Sequence, residues 1–129
     1  MKPIDLQIEQ EVVDQIIIDY QVSLKLSDGS YFMFECKFTL TKPDGTAFEI
    51  TPGDSAEQLV HILELHNASL ARGLVVGGTL RLEFSNGTVL ECPPDDQYEA
   101  WSLFSPSGNL QRIISTPGGD LSIWRQPGK

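Results

Sequence analysis

No stretch of this sequence approaches the roughly 18–20 consecutive apolar residues that a membrane-spanning helix needs. Basic residues are scarce, nine against eighteen acids, for a formal net charge of −9. Phosphate backbones and anionic membranes repel such a surface, so neither nucleic acid nor a membrane is an expected partner. Two cysteines cannot build a disulfide scaffold, and two histidines leave little material for a metal centre. The opening Met1-Lys2-Pro3-Ile4-Asp5 runs into acids rather than an apolar signal core, which predicts a cytoplasmic chain with reduced thiols. What is present is ordinary for a globular protein: 40% hydrophobic and 21% charged residues over 129 positions. That length suits one domain, residues 1–129, able to bury roughly two-thirds of its extended surface.

The acidity is unevenly spread. From Asp5 to Asp19 there are five acids and no base, and from Glu83 to Glu99 there are five more, again with no base. Two acid-only windows in a chain of this charge predict a basic protein partner, drawn in by long-range attraction.

From Val12 onward the chain reads as short strands divided by turn chemistry. Val22-Ser23-Leu24-Lys25-Leu26 alternates as a half-buried strand does. Asp28-Gly29 suits a type I′ turn, in which both central residues have positive φ, and Tyr31–Cys36 returns. Phe38-Thr39-Leu40 leads into the Pro43-Asp44-Gly45 turn and comes back as Ala47–Ile50. One helix of about three turns is predicted over 54–66, started by Thr51-Pro52 or by Asp54 with Glu57 and stopped at Asn67. Ala56, Leu59, Val60 and Leu63 form its expected core face, widened by Ile62 and Leu65. Strands resume with Leu74–Val76, Thr79–Phe84 and Thr88–Cys92, then Tyr98–Phe104, Leu110–Ile114 and Asp120–Trp124. The expected class is α+β: predominantly antiparallel β, with two similar meanders joined by one helix.

The two halves match. Val22-x-Leu24-x-Leu26-Ser27-Asp28-Gly29-Ser30 aligns with Leu80-x-Leu82-x-Phe84-Ser85-Asn86-Gly87-Thr88. Glu35-Cys36 and Glu91-Cys92 close the two returning strands. Phe38-x-Leu40-x-x-Pro43-x-Gly45 and Ile50 align without a gap to Trp101-x-Leu103-x-x-Pro106-x-Gly108 and Ile113. The pattern predicts two four-strand units, about 12–50 and 69–114, sharing one strand order.

Chemistry is sparse. Glu57, His61 and Glu64 fall at helical spacing, but no second pair of ligands accompanies them, so no metal is expected. Cys36 and Cys92 are predicted to be reduced, buried structural thiols in equivalent places. Both histidines belong to the helical segment, and no nucleophile motif or phosphate-cradling glycine loop is present. The sequence thus predicts no enzyme, no catalytic residue and no cofactor. One segment instead has the makings of a contact site. Pro93-Pro94 stiffens a loop that carries Asp95, Asp96, Tyr98 and Glu99 ahead of Trp101. Tyrosine is a favoured interface anchor, and acids at a rim steer basic partners. Trp101 aligns with Phe38 and belongs to the core, leaving Asp95, Asp96, Tyr98 and Glu99 as the predicted partner-binding residues.

The strings Pro93-Pro94-Asp95-x-x-Tyr98-Glu99-Ala100-Trp101 and Gly118-Gly119-x-Leu121-x-x-Trp124, with the hairpin turns above, resemble those of a family of small uncharacterised bacterial β-rich domains. Those motifs are turn and core residues and imply no activity. In size, acidity and lack of a catalytic constellation the chain also resembles immunity proteins that accompany polymorphic toxins. That likeness implies a cytoplasmic protein neutralising a cognate basic toxin. The alternative expectation is a small-molecule-binding or accessory β-domain using a cleft between the two repeats.

Overall fold

The computed structural model describes residues 2–106 and 110–125. Twelve strands lie among them: β1 (Ile4–Asp5), β2 (Val13–Ile18), β3 (Val22–Leu26), β4 (Tyr31–Phe34), β5 (Phe38–Thr41), β6 (Ala47–Ile50), β7 (Leu70–Val76), β8 (Thr79–Phe84), β9 (Val89–Cys92), β10 (Trp101–Phe104), β11 (Leu110–Ser115) and β12 (Leu121–Arg125). They form two six-stranded antiparallel sheets, ordered β1-β7-β8-β9-β5-β6 and β12-β11-β10-β4-β3-β2. With one short helical segment between β6 and β7, the fold is α+β and mostly antiparallel β. The alternation read from the sequence sets the faces: Val22, Leu24 and Leu26 are buried, as are Leu80, Leu82 and Phe84. Both sheets feed one core, in which Phe34 and Phe38 lie with ring centroids 4.9 Å apart.

The two halves take the same course and exchange strands. The meander β2-β3-β4 sits in one sheet, after which the chain crosses and adds β5-β6 to the other. The meander β7-β8-β9 sits in that other sheet, and the chain crosses back to add β10-β11 to the first. Each half therefore has five strands rather than four. The seams share one register: Leu40 opposes Leu90 where β5 meets β9, and Leu103 opposes Phe32 where β10 meets β4. The hairpin turns correspond as well. Asp28 Oδ1 accepts the Ser30 N–H at 2.8 Å, and Asn86 Oδ1 accepts the Thr88 N–H at 2.9 Å. Gly29 and Gly87 have φ of +88° and +90°, which residues with a Cβ rarely adopt. A Cβ at Gly29 would lie 3.3 Å from Pro106, and one at Gly87 3.1 Å from Pro43, so each hairpin tip packs on the proline turn of the other half. Where the halves meet, the Val13 N–H donates to Ala68 O and the Leu70 N–H to Glu11 O, both at 2.9 Å, about the bridge between Val12 and Ser69.

Register also corrects two alignments. Leu40 opposes Phe48, whereas Leu103 opposes Ile113, so Ile113 corresponds to Phe48 and not to Ile50. The second hairpin loop is closed by Ser105 and Gln111, against Lys42 and Thr46 in the first, and this greater length absorbs the shift. Gly108 of that loop lies outside the described residues. Val22 opposes Phe34 and Leu80 opposes Cys92, so Cys92 corresponds to Phe34. The cysteines are therefore not equivalent, and Cys36 is only half-buried while Cys92 is fully buried.

The helical segment departs furthest from expectation. It is one α-turn, α1 (Ala56–Leu59), continued by a 3-10 stretch over Val60–Leu65. Thr51-Pro52-Gly53 forms a turn instead of a helix start, with Gly53 at φ +87°, and Ser55 is the N-cap. Three residues per turn place Leu59, Ile62 and Leu65 in one row, and that row meets the core. Ala56, Val60 and Leu63, expected to be buried, face outward, Val60 at 50% and Leu63 at 54% exposure. Asn67 ends the segment in the left-handed region at φ +68°. Ile62→Ala is predicted to lower stability by about 2–5 kcal/mol through a core cavity. Leu63→Ala should change it by less than about 0.5 kcal/mol. Urea unfolding midpoints of the two variants measure the difference.

Candidate functional site

The two crossings between sheets are of unequal length. The first, between β4 and β5, is Glu35–Lys37; the second, between β9 and β10, is Pro93–Ala100. The same step needs three residues in one half and takes eight in the other. Pro93-Pro94 ends β9, because proline cannot donate to a ladder, and the surplus chain forms the acidic loop.

Asp95 organises that loop. Its Oδ2 accepts the N–H groups of Gln97 at 2.9 Å and Tyr98 at 3.0 Å, and its carbonyl accepts the Gly118 N–H at 2.8 Å. A carboxylate that closes its own turn also orders the loop, a structural part that the sequence reading did not give Asp95. Held this way, the loop presents Tyr98 at 64% exposure between the exposed Asp96 and Glu99. Among the described residues no lysine or arginine forms an ion pair with Asp95, Asp96 or Glu99. Trp101 is fully buried, with its indole N–H donating to Gly78 O at 3.1 Å.

The loop lies over the shorter crossing. The Glu35 N–H donates to Ala100 O at 2.9 Å, and the Cys36 thiol approaches Glu99 O at 3.8 Å. Glu35 thus joins the acidic face, a residue the sequence reading missed. Partial burial, then the nearby Glu99 charge, push the Glu35 carboxyl above its ordinary pKa, and the hydrogen bond from Gln21 pulls it back only in part. Burial, then Asp95 and Glu35, raise the Cys36 thiol. Burial pushes Cys92 up to about 12, with a smaller contribution from Cys36, which leaves it a neutral core thiol at physiological pH.

The other polar side chains are engaged elsewhere. His61 stacks on Phe48 with centroids 3.7 Å apart, and Glu64 pairs with Lys42, in a groove of about 420 Å³ beside the Pro43 turn. Glu57 stands exposed on α1, and His66 Nε2 lies 3.1 Å from Asp14 O. The Arg112 guanidinium lies 5.8 Å over the half-exposed Trp124 ring. None of the described helices is long and apolar enough to cross a membrane.

Glu35 makes this acidic face testable by titration. Its native carboxyl holds a proton more tightly than the unfolded one. Its contribution to stability therefore falls as pH rises from the ordinary glutamate range through the raised value. Glu35→Gln is predicted to raise the unfolding midpoint at pH 7 and to give no gain in acid below that window. Carboxyl carbon NMR should show Glu35 titrating above an ordinary glutamate and moving down in Glu99→Gln. The thiols offer a second check: an aromatic disulfide reagent at pH 8 is predicted to modify Cys36 in the native protein, and Cys92 only after unfolding.

With this geometry in place, comparison with known proteins identifies the relationship. The chain belongs to a family of unknown function, DUF6188, whose model matches residues 4–125. No curated protein and no solved structure matches it significantly.

Proposed function

We propose that this member of the DUF6188 family is a non-enzymatic protein-binding domain, a cytoplasmic immunity protein that neutralises a cognate basic bacterial toxin through the loop after Pro93-Pro94. The observation that carries the reading is the surplus length of the second crossing. The fold completes the same step with three residues in its first half, so the extra chain of the second serves something other than connectivity. That chain is stiffened by two prolines and held by Asp95. It offers one large exposed aromatic ring beside acids that, among the described residues, no lysine or arginine pairs. A pre-ordered anchor with a charged rim is how small interfaces gain both rate and residence time. The net charge of −9 repels anionic partners and favours a cationic one. With Asp95 committed to the turn, the steering acids are Asp96, Glu99 and Glu35.

The small-molecule alternative required a cleft between the halves. Leu40, Leu90, Phe32 and Leu103 fill the two seams at 0–1% exposure, so that reading would have to move to the outer groove beside Phe48 and His61.

The test uses a toxin domain encoded beside this gene or recovered with the protein from its native host. Surface plasmon resonance should show Tyr98→Ala raising the dissociation rate by about tenfold or more. Asp96→Asn with Glu99→Gln should chiefly slow association, an effect that fades as salt shortens the screening length below about 10 Å. Co-expression should protect cells from the toxin with the native chain and fail with Tyr98→Ala. Full protection and unchanged kinetics in all three substitutions would overturn the reading.

A further inference from the structure

The correspondence between the halves also breaks at the outer edge of the first strand in each. On β7 that edge is covered. β1 pairs with it antiparallel, Ile4 opposite Val75 and Asp5 opposite Leu74. The Leu6 N–H continues the ladder to Gly73 O at 2.9 Å, and Gln10 closes it on Leu70 O at 2.7 Å. The covering segment drives alternate apolar side chains inward, with Leu6 and Ile8 buried. By register, Ile18 of β2 corresponds to Val75, since they oppose Val22 and Leu80, and Ile16 corresponds to Gly73. The closing bond is present there too: the Asn67 N–H donates to Val13 O at 2.9 Å, with φ of +68° against +64° at Gln10.

Beyond that point the halves diverge. The chain before Gln10 lies along β7, as a strand at Ile4–Asp5 and bonded to it again at Leu6 and Gln10, whereas the chain before Asn67 coils into α1 and its 3-10 continuation. Among the described residues, no backbone group outside β3 bonds to Ile16, Ile17 or Ile18. Strand edges are ordinarily blunted by a lysine, a proline or a bulge, and past the bulge at Val13/Gln15 this one carries three isoleucines in a row. Beside it lies a groove of about 300 Å³, walled by Ile18, Ala56, Leu59, Val60 and Leu63, with Tyr20 at 94% exposure on the adjoining turn. The two segments that build this surface, 13–20 and 54–63, contain Asp14, Asp19, Asp54 and Glu57 and no lysine or arginine.

We propose that the outer edge of β2 is a strand-addition site. A cationic, extended segment of a partner protein pairs antiparallel with Ile16–Ile18, as β1 does with β7, and sets an apolar side chain against Leu59, Val60 and Leu63. Main-chain bonds supply the affinity, the groove selects apolar residues at alternate positions, and the acids select basic residues between them. The charge argues against a second copy as occupant. Its own strand for such an edge, Ile4-Asp5-Leu6-Gln7-Ile8-Glu9, would bring acids onto acids. The site is separate from the Pro93–Ala100 loop and does not depend on how that loop is read.

A labelled peptide of alternating lysine and valine tests the proposal, by fluorescence anisotropy and by amide NMR shifts of the full chain. Saturable binding is expected, with shifts at Gln15–Ile18 and 56–63. Peptides alternating glutamate with valine, or lysine with serine, should bind at least about tenfold more weakly. Leu63→Lys, at an exposed position, should weaken the lysine–valine peptide by about tenfold or more, and Tyr98→Ala should leave it unchanged. The proposal is overturned if the lysine–serine peptide binds equally well, which would indicate charge alone, or if the shifts fall on the loop at 95–99. It is also overturned if Leu63→Lys has no effect, or if light scattering shows a dimer of the chain that Leu63→Lys dissolves.

Discussion

Strand exchange between the halves governs this molecule. A three-stranded meander such as β2-β3-β4 has an inner face of phenylalanine and leucine and an edge that wants a partner, and within its own half the hairpin β5-β6 goes to the opposite sheet. The fourth strand must come from the other half, which has the same need in reverse. Leu40 against Leu90 and Leu103 against Phe32 are where that mutual requirement is met, all four side chains fully buried. Neither half can bury its apolar face alone, so the core forms with both halves present. The two crossings that permit the exchange come together, and the longer one is free to carry an acidic, aromatic loop over the shorter.

The fold was legible wherever local chemistry dictates backbone conformation. Gly29 and Gly87 take the positive φ their hairpin turns need, though Asp28 and Asn86 do not adopt it as a type I′ turn would require, and the alternating strands around them bury the expected residues. Period alone did not reveal which face of a short helical stretch is inward. Ala56, Val60 and Leu63 fit a 3.6-residue repeat, yet the 3-10 geometry turns Ile62 and Leu65 to the core. Nor could spacing reveal that Ile113 corresponds to Phe48, because loop length is free to differ while sheet register is not.

The candidate site was legible in its composition and exposure and not in its local geometry. Tyr98, Asp96 and Glu99 stand exposed as their polarity and the two prolines imply, whereas Asp95 is committed to its own loop's amides. Glu35 could not be placed beside Glu99 from spacing, since their approach depends on which sheet each half crosses into. The acidic face is thus a product of topology: Glu35 and the acids of the Pro93–Ala100 loop, remote in sequence, become one surface because they lie on the two crossings. Beyond burial, the neighbouring Glu99 charge pushes the Glu35 carboxyl toward protonation, and a cationic partner would relieve that repulsion, which connects the raised Glu35 pKa to the proposed binding.

The most direct test of that account is amide hydrogen exchange of the chain alone and saturated with the recovered toxin domain. The account predicts slowed exchange at Asp96–Glu99 and at Glu35–Lys37 in the complex, diminished at high salt. Protection confined to the groove around Lys42, Phe48 and His61, with the Pro93–Ala100 loop exchanging as in the free protein, would contradict it.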